Sequence, residues 1–184
     1  MVRLSIMGRH NVLNAMVALA VADLSGVPLS GAVKCLAAFT GFQNRQQVMQ
    51  KHGITVIDDT YNASPVSMKA GLEVLEATAK GRRIAVLADM KELGPDSPKF
   101  HYEVGSWMKS HPVDVLFTYG ELALQIEKGA KRAGMKAEYL HFDENQKEAM
   151  VDALKAKLQT GDCVLLKGSN SMRLGEVAAK LLAE

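Results

Sequence analysis

Four short polar stretches each follow an apolar, strand-like run. Asp58-Asp59-Thr60-Tyr61-Asn62-Ala63-Ser64 follows residues 54–57, and Asp89-Met90-Lys91-Glu92-Leu93-Gly94 follows 84–88. Tyr119-Gly120-Glu121 follows 113–118, and Lys167-Gly168-Ser169-Asn170-Ser171 follows 164–166. Adjacent carboxylates can bind a ribose hydroxyl or a metal-associated water, or can brace a turn by accepting backbone N–H bonds. Neighbouring strand residues point to opposite faces. Asp58 and Asp59 are therefore not expected to work as a paired acid and base, and one of them reads as structural. Lys167-Gly168-Ser169 ahead of a helix can hold an anion through backbone N–H groups and a lysine. A plain strand-to-helix turn fits it equally well, because the spacing of a full phosphate loop is missing.

The elements that would position these stretches follow from periodicity. A short strand is expected over 2–7, a helix from Asn11 to about Leu24 and a second helix from about Pro28 to Phe39. The polar break at 40–45 reads as a domain boundary. Beyond it, strands over 46–50 and 54–58 form a hairpin through Lys51-His52-Gly53. Helices are expected over 65–79, 97–110, 121–133, 144–158 and 172–182. Strands are expected over 83–88, 113–118, 137–142 and 163–166. Alternating strands and helices imply an α/β fold with a mostly parallel sheet covered by helices on both faces. In such sheets ligands bind beyond the carboxyl ends of the strands. All four polar stretches should meet at that edge.

Composition narrows the function classes. The chain has 184 residues, 48% hydrophobic and 23% charged, and a net charge of +2. That charge gives no electrostatic case for nucleic acid or an anionic membrane. The apolar run 15–22 is too short to span a bilayer and reads as an alanine-rich helix packed on all sides. Cys35 and Cys163 sit in apolar segments and read as small buried hydrophobes in a reducing compartment. The five histidines show no metal-ligand spacing, so no metal site is expected.

Taken in order, a larger set of motifs carries a resemblance. Gly8-Arg9-His10-Asn11-Val12-Leu13-Asn14-Ala15, Asn44-Arg45, the 58–65 stretch with Pro65, Asp89-Met90-Lys91-Glu92-Leu93-Gly94 with His101, and Lys167-Gly168-Ser169 all occur. Together they resemble the ATP-dependent muramyl (Mur) ligases of bacterial peptidoglycan synthesis. The resemblance covers nearly the whole chain and is strongest to the members that add D-Ala-D-Ala to UDP-N-acetylmuramoyl-tripeptide. It implies a bacterial, cytoplasmic enzyme using ATP and Mg2+ to form an acyl phosphate, which the amine of D-Ala-D-Ala then attacks. Residues 1–41 would be the end of the central ATPase domain, and 42–184 the C-terminal Rossmann-like domain. No Gly-x-x-Gly-Lys-Thr/Ser segment occurs, so the piece is expected to be inactive alone and to hold no cofactor by itself. Exposed apolar surface on the N-terminal segment would then drive dimerisation or disorder.

The resemblance also implies roles for residues. Asn11 and Asn14 match a segment near the adenine, Arg45 an arginine that reaches ATP, and Asp59 the acid that holds the ribose hydroxyls. Tyr61, Asn62 and Ser64 would face the incoming amine, with Lys167 and Ser169 on the neighbouring loop helping to hold substrate. Glu92 and His101 read as loop packing rather than catalysis. Asn44 stands where many members have glycine, Ala88 where glycine usually precedes Asp-Met, and Asn170 where arginine is frequent. A stand-alone nucleotide- or peptide-binding module is one alternative, and a ligase like folylpolyglutamate synthase is another.

Overall fold

In a computed structural model, residues 2–183 are described. The centre of the molecule is a six-stranded sheet in the order β1-β2-β6-β3-β4-β5. Its strands are β1 (Gln47–Lys51), β2 (Ile54–Asp59), β3 (Arg83–Ala88), β4 (Val115–Tyr119), β5 (Glu138–Phe142) and β6 (Cys163–Lys167). Only β1 runs antiparallel, through the expected hairpin with β2; the other neighbours are all parallel. The helices are α1 (Arg9–Leu24), α2 (Leu29–Ala38), α3 (Pro65–Thr78), α4 (Ser97–Trp107), α5 (Leu124–Ala133), α6 (Lys147–Lys157) and α7 (Leu174–Ala183).

Side-chain alternation along the strands divides the core in two. Ile57, Ala85, Leu87, Cys163 and Leu165 face α3, α4 and α5. Val56, Ile84, Val86, Val164 and Leu166 face α6 and α7. Because these strands are buried on both faces, they read as continuous apolar runs, as a covered parallel sheet requires. The first layer is closed by a tight helix crossing. A Cβ on Gly105 of α4 would lie 1.9 Å from the Ile126 carbonyl oxygen, and one on Gly129 of α5 would lie 2.1 Å from that of Tyr102. Only glycine lets the two backbones approach so closely.

Several expectations are corrected. No strand forms over residues 2–7. This segment runs beside α2, away from both sheet edges, and Ser5 Oγ donates to the Ala37 carbonyl at 2.8 Å. The alanine-rich helix is not packed on all sides: Ala15 is buried, but Leu13, Met16, Val17 and Leu24 are exposed. Cys35 is exposed, while Cys163 is the buried thiol expected. Burial pushes the Cys163 pKa up to about 11, which leaves it inert near neutral pH. The helix expected from residue 121 begins at Leu124, and the Ala123 N–H just ahead of it donates to Asp89 Oδ1 at 2.7 Å.

Candidate functional site

The turn after β2 is built by its own side chains. Ile57 faces α3, so alternation sends Asp58 to the opposite side and Asp59 back toward α3. Asp58 Oδ1 accepts from Thr60 Oγ1 at 2.7 Å and from the Thr60 N–H at 3.2 Å. Burial holds the Asp58 carboxyl above its ordinary pKa, with the Thr60 bonds pulling the other way. Asp58 is therefore a brace. The loop then closes on Ser64, whose Oγ accepts the Ser67 N–H while Ser67 Oγ accepts the Ser64 N–H. That reciprocal cap, with Pro65 at the first helical position, starts α3.

Asp59 and Lys167 are register partners at the carboxyl ends of β2 and β6. The Lys167 ammonium lies 2.7 Å from Asp59 Oδ2 and donates to the Asn62 carbonyl at 3.0 Å. Burial lowers the pKa of Lys167, and the Asp59 charge opposes that shift. Loops from β2 and β6 lead to helices on opposite faces of the sheet, which is where α/β folds open a crevice.

A cavity of about 720 Å³ opens there, between α1, the 39–46 junction, the 59–64 loop and α3. Asn11, Asn14, Arg45 and Asp59 line it, as do Tyr61, Asn62, Ser64 and Lys167. Of the nominated residues, Ser169 alone stands outside it. Asn11 Nδ2 donates to the Met7 carbonyl at 2.6 Å, and Asn11 Oδ1 accepts from Asn14 Nδ2 at 3.2 Å. That leaves the side-chain oxygen of Asn14 with no partner among the described residues. Arg45 stacks its guanidinium 3.9 Å from the centre of the Tyr61 ring. The Tyr61 N–H donates to the Asn44 carbonyl at 2.9 Å and ties the loop to the junction. Asn62 Oδ1 accepts the Ala63 N–H at 2.8 Å, and Ser64 caps α3, so both side chains serve the loop itself.

The other three loops meet on Asp89, which is fully buried. Its Oδ1 accepts from Ala123 N, its Oδ2 faces Lys91 Nζ at 2.9 Å, and its carbonyl accepts the Ser169 N–H at 3.0 Å. Ser169 Oγ accepts the Lys91 N–H at 2.8 Å. Ser169 thus joins two loops instead of facing the cavity. His101 is buried beneath the second loop, where Nε2 accepts the Met90 N–H at 2.8 Å. All four polar stretches converge at one sheet edge, as alternation of strand and helix predicts.

Sequence reasoning missed three features of the site. His10 and Gln46 also line the cavity, and the Gln46 side-chain oxygen is buried with no partner among the described residues. The Asp59–Lys167 pair was missed too: the two-residue steps Ile57 to Asp59 and Leu165 to Lys167 place each side chain on a face, but not the two strands side by side. Among the described residues no group of three or more His, Cys, Asp or Glu side chains is placed to hold a metal ion.

The family model of the Mur ligase, glutamate ligase domain, matches residues 44–170. The chain belongs to the Mur ligase family. The UDP-N-acetylmuramoyl-tripeptide–D-alanyl-D-alanine ligase of Bacillus subtilis is 36% identical over 96% of this chain. The Escherichia coli ligase of the same name is 33% identical over 98%. MurF of Acinetobacter baumannii superposes over the full chain with a TM-score of 0.85 at 31% identity. MurF of Thermotoga maritima, solved in complex with ADP, superposes over 95% of the chain with a TM-score of 0.77 at 26% identity. This Mur ligase chain spans only 39% of the Bacillus subtilis ligase and of the Acinetobacter baumannii MurF chain, and 38% of the other two. Among the described residues no helix is long and apolar enough to cross a membrane.

Proposed function

We propose that the chain supplies the nucleotide-ribose side and the amine-acceptor side of an ATP-dependent ligase that joins D-Ala-D-Ala to UDP-N-acetylmuramoyl-tripeptide. One observation carries this reading. Asn14, Arg45 and Asp59, nominated for a nucleotide, line the same cavity as the 61–64 loop nominated for the acceptor. The ADP complex of the Thermotoga maritima relative supports the ligand class.

The geometry suits each role. Asp59 has one oxygen engaged by Lys167, and its second oxygen can accept from a ribose hydroxyl. Asn14 offers an acceptor to an exocyclic amine of the base. The Tyr61 ring holds the Arg45 guanidinium flat, and a guanidinium so placed can pair with phosphate. In the reaction, the γ-phosphoryl group passes from ATP to the terminal carboxylate of the tripeptide. The amine of D-Ala-D-Ala then attacks the acyl carbon. A C–N bond forms, the C–O bond to phosphate breaks, and the amine loses a proton. Magnesium would offset charge at the transferring phosphoryl group, but the described residues bring together no cluster of ligands for it.

Residues 1–41 are read as the end of an ATPase domain and 42–184 as the domain that closes over it. The bare face of α1 is then the seat of the portion of the relatives that this chain does not span; left uncovered, it is a surface for self-association. The test is reconstitution. The chain is mixed with the remaining portion of the Bacillus subtilis relative, and phosphate release from ATP is followed with and without D-Ala-D-Ala. We expect none from either portion and D-Ala-D-Ala-dependent release from the mixture. No release from folded portions at any mixing ratio would favour a binding module instead.

A further inference from the structure

The sequence nominates Lys167 as a substrate contact, and its surroundings argue for another role. Its side chain is only 2% exposed. Its ammonium is already committed to Asp59 Oδ2 and the Asn62 carbonyl. Space for the pair is made across the interface with α3. A Cβ on Gly71 would lie 3.1 Å from Lys167 Cδ and 3.4 Å from Asp59 Oδ2. An unpaired Asp59 would also repel a polyanionic nucleotide, and the adjacent ammonium offsets that charge.

We propose that Lys167 is a positioning residue. It commits one oxygen of Asp59 and the carbonyl of Asn62, so that the other Asp59 oxygen and the 61–64 loop are presented together to the ligand in the cavity. The nucleotide subsite and the acceptor loop thereby share one support, and loss of Lys167 loosens both. This inference rests on the nucleotide reading of the cavity.

The test is a double-mutant cycle on the chain mixed with the remaining portion of the Bacillus subtilis relative, with ADP as the probe. If Lys167 acts through Asp59, Lys167→Met weakens ADP binding roughly tenfold in the parent chain and less than about twofold in the Asp59→Asn background. Equal losses in the two backgrounds would mean an independent contribution and overturn the proposal. The second readout needs no nucleotide. Amide hydrogen exchange of residues 61–64 should speed up in Lys167→Met and in Gly71→Ala, while amides of β4 keep their protection. A parent mixture that binds no ADP contradicts the nucleotide reading alone, and the exchange rates then decide the role of Lys167. Unchanged exchange in the 61–64 loop overturns it. Should Lys167→Met fail to fold, Gly71→Ala carries both readouts, because it crowds the lysine without removing a charge.

Discussion

His101 shows how a single side chain fixes a loop. Its Nδ1–H donates to the Ser97 carbonyl at 2.7 Å, and its Nε2 accepts the Met90 N–H at 2.8 Å. Accepting at Nε2 requires a neutral ring. Burial accordingly lowers its pKa below the ordinary 6.5, despite the opposing Ser97 bond. The unfolded chain therefore takes up this proton first. The contribution of His101 to stability is complete above pH 6.5 and is lost as pH falls from there toward the folded-state value. The amide oxygen of a glutamine can accept the same N–H, but its side chain takes up no proton. In His101→Gln, urea unfolding should therefore lose less stability than the parent between about pH 7 and pH 5. Identical slopes in parent and variant would contradict this. The Asp59–Lys167 pair makes a second prediction at this scale. Replacing Lys167 alone leaves the largely buried Asp59 carboxylate without its partner and should cost about 3–5 kcal/mol. The double variant Asp59→Asn, Lys167→Met should recover part of that loss in the same unfolding measurement, and a further loss would contradict the pairing.

The α4–α5 crossing carries the main prediction at the scale of elements. Gly129→Ala gains helix propensity, worth at most about 1 kcal/mol. Against it stands a Cβ placed 2.1 Å from the Tyr102 carbonyl oxygen, and overpacking of this kind costs about 1–3 kcal/mol or more. The clash wins, so the melting temperature should fall; an unchanged or raised value would contradict the close approach. Elements of this kind were legible in the sequence where pattern and burial agree. The strands 83–88 and 163–166, the capped start of α3 at Ser64-Pro65 and the convergence of four loops at one edge all follow from alternation, turn chemistry and topology. The misses have physical causes. Residues 2–7 have the composition of a strand but lie beside α2 rather than along either edge of the sheet. The alanine-rich run of α1 reads as core because hydropathy records what a helix prefers to bury, not whether a neighbour is present. The Asp59–Lys167 pair depends on the register of strands more than a hundred residues apart, which local pattern does not contain.

At the scale of the whole molecule, two surfaces dominate. One is the exposed apolar face of α1, where Leu13, Met16, Val17 and Leu24 are bare. The other is the cavity between α1 and the carboxyl edge of β2 and β6, which draws nucleotide and acceptor candidates from both ends of the sequence. The first is the face proposed above as the seat of the rest of a Mur ligase. The second holds the proposed nucleotide subsite, and it turns on the two adjacent carboxylates that end β2. Asp59 faces the cavity, whereas Asp58 is consumed by Thr60. ADP titration of the chain and of two variants, Asp59→Asn and Asp58→Asn, each mixed with the remaining portion of the Bacillus subtilis relative and read by residue-resolved NMR shifts of the chain, separates their roles. Shifts should centre on Asn14, Arg45 and the 59–64 loop. Affinity should fall roughly tenfold for Asp59→Asn, the size of one charge-assisted hydrogen bond, and little for Asp58→Asn. Equal losses in the two variants, or shifts centred away from the cavity, would contradict the nucleotide reading.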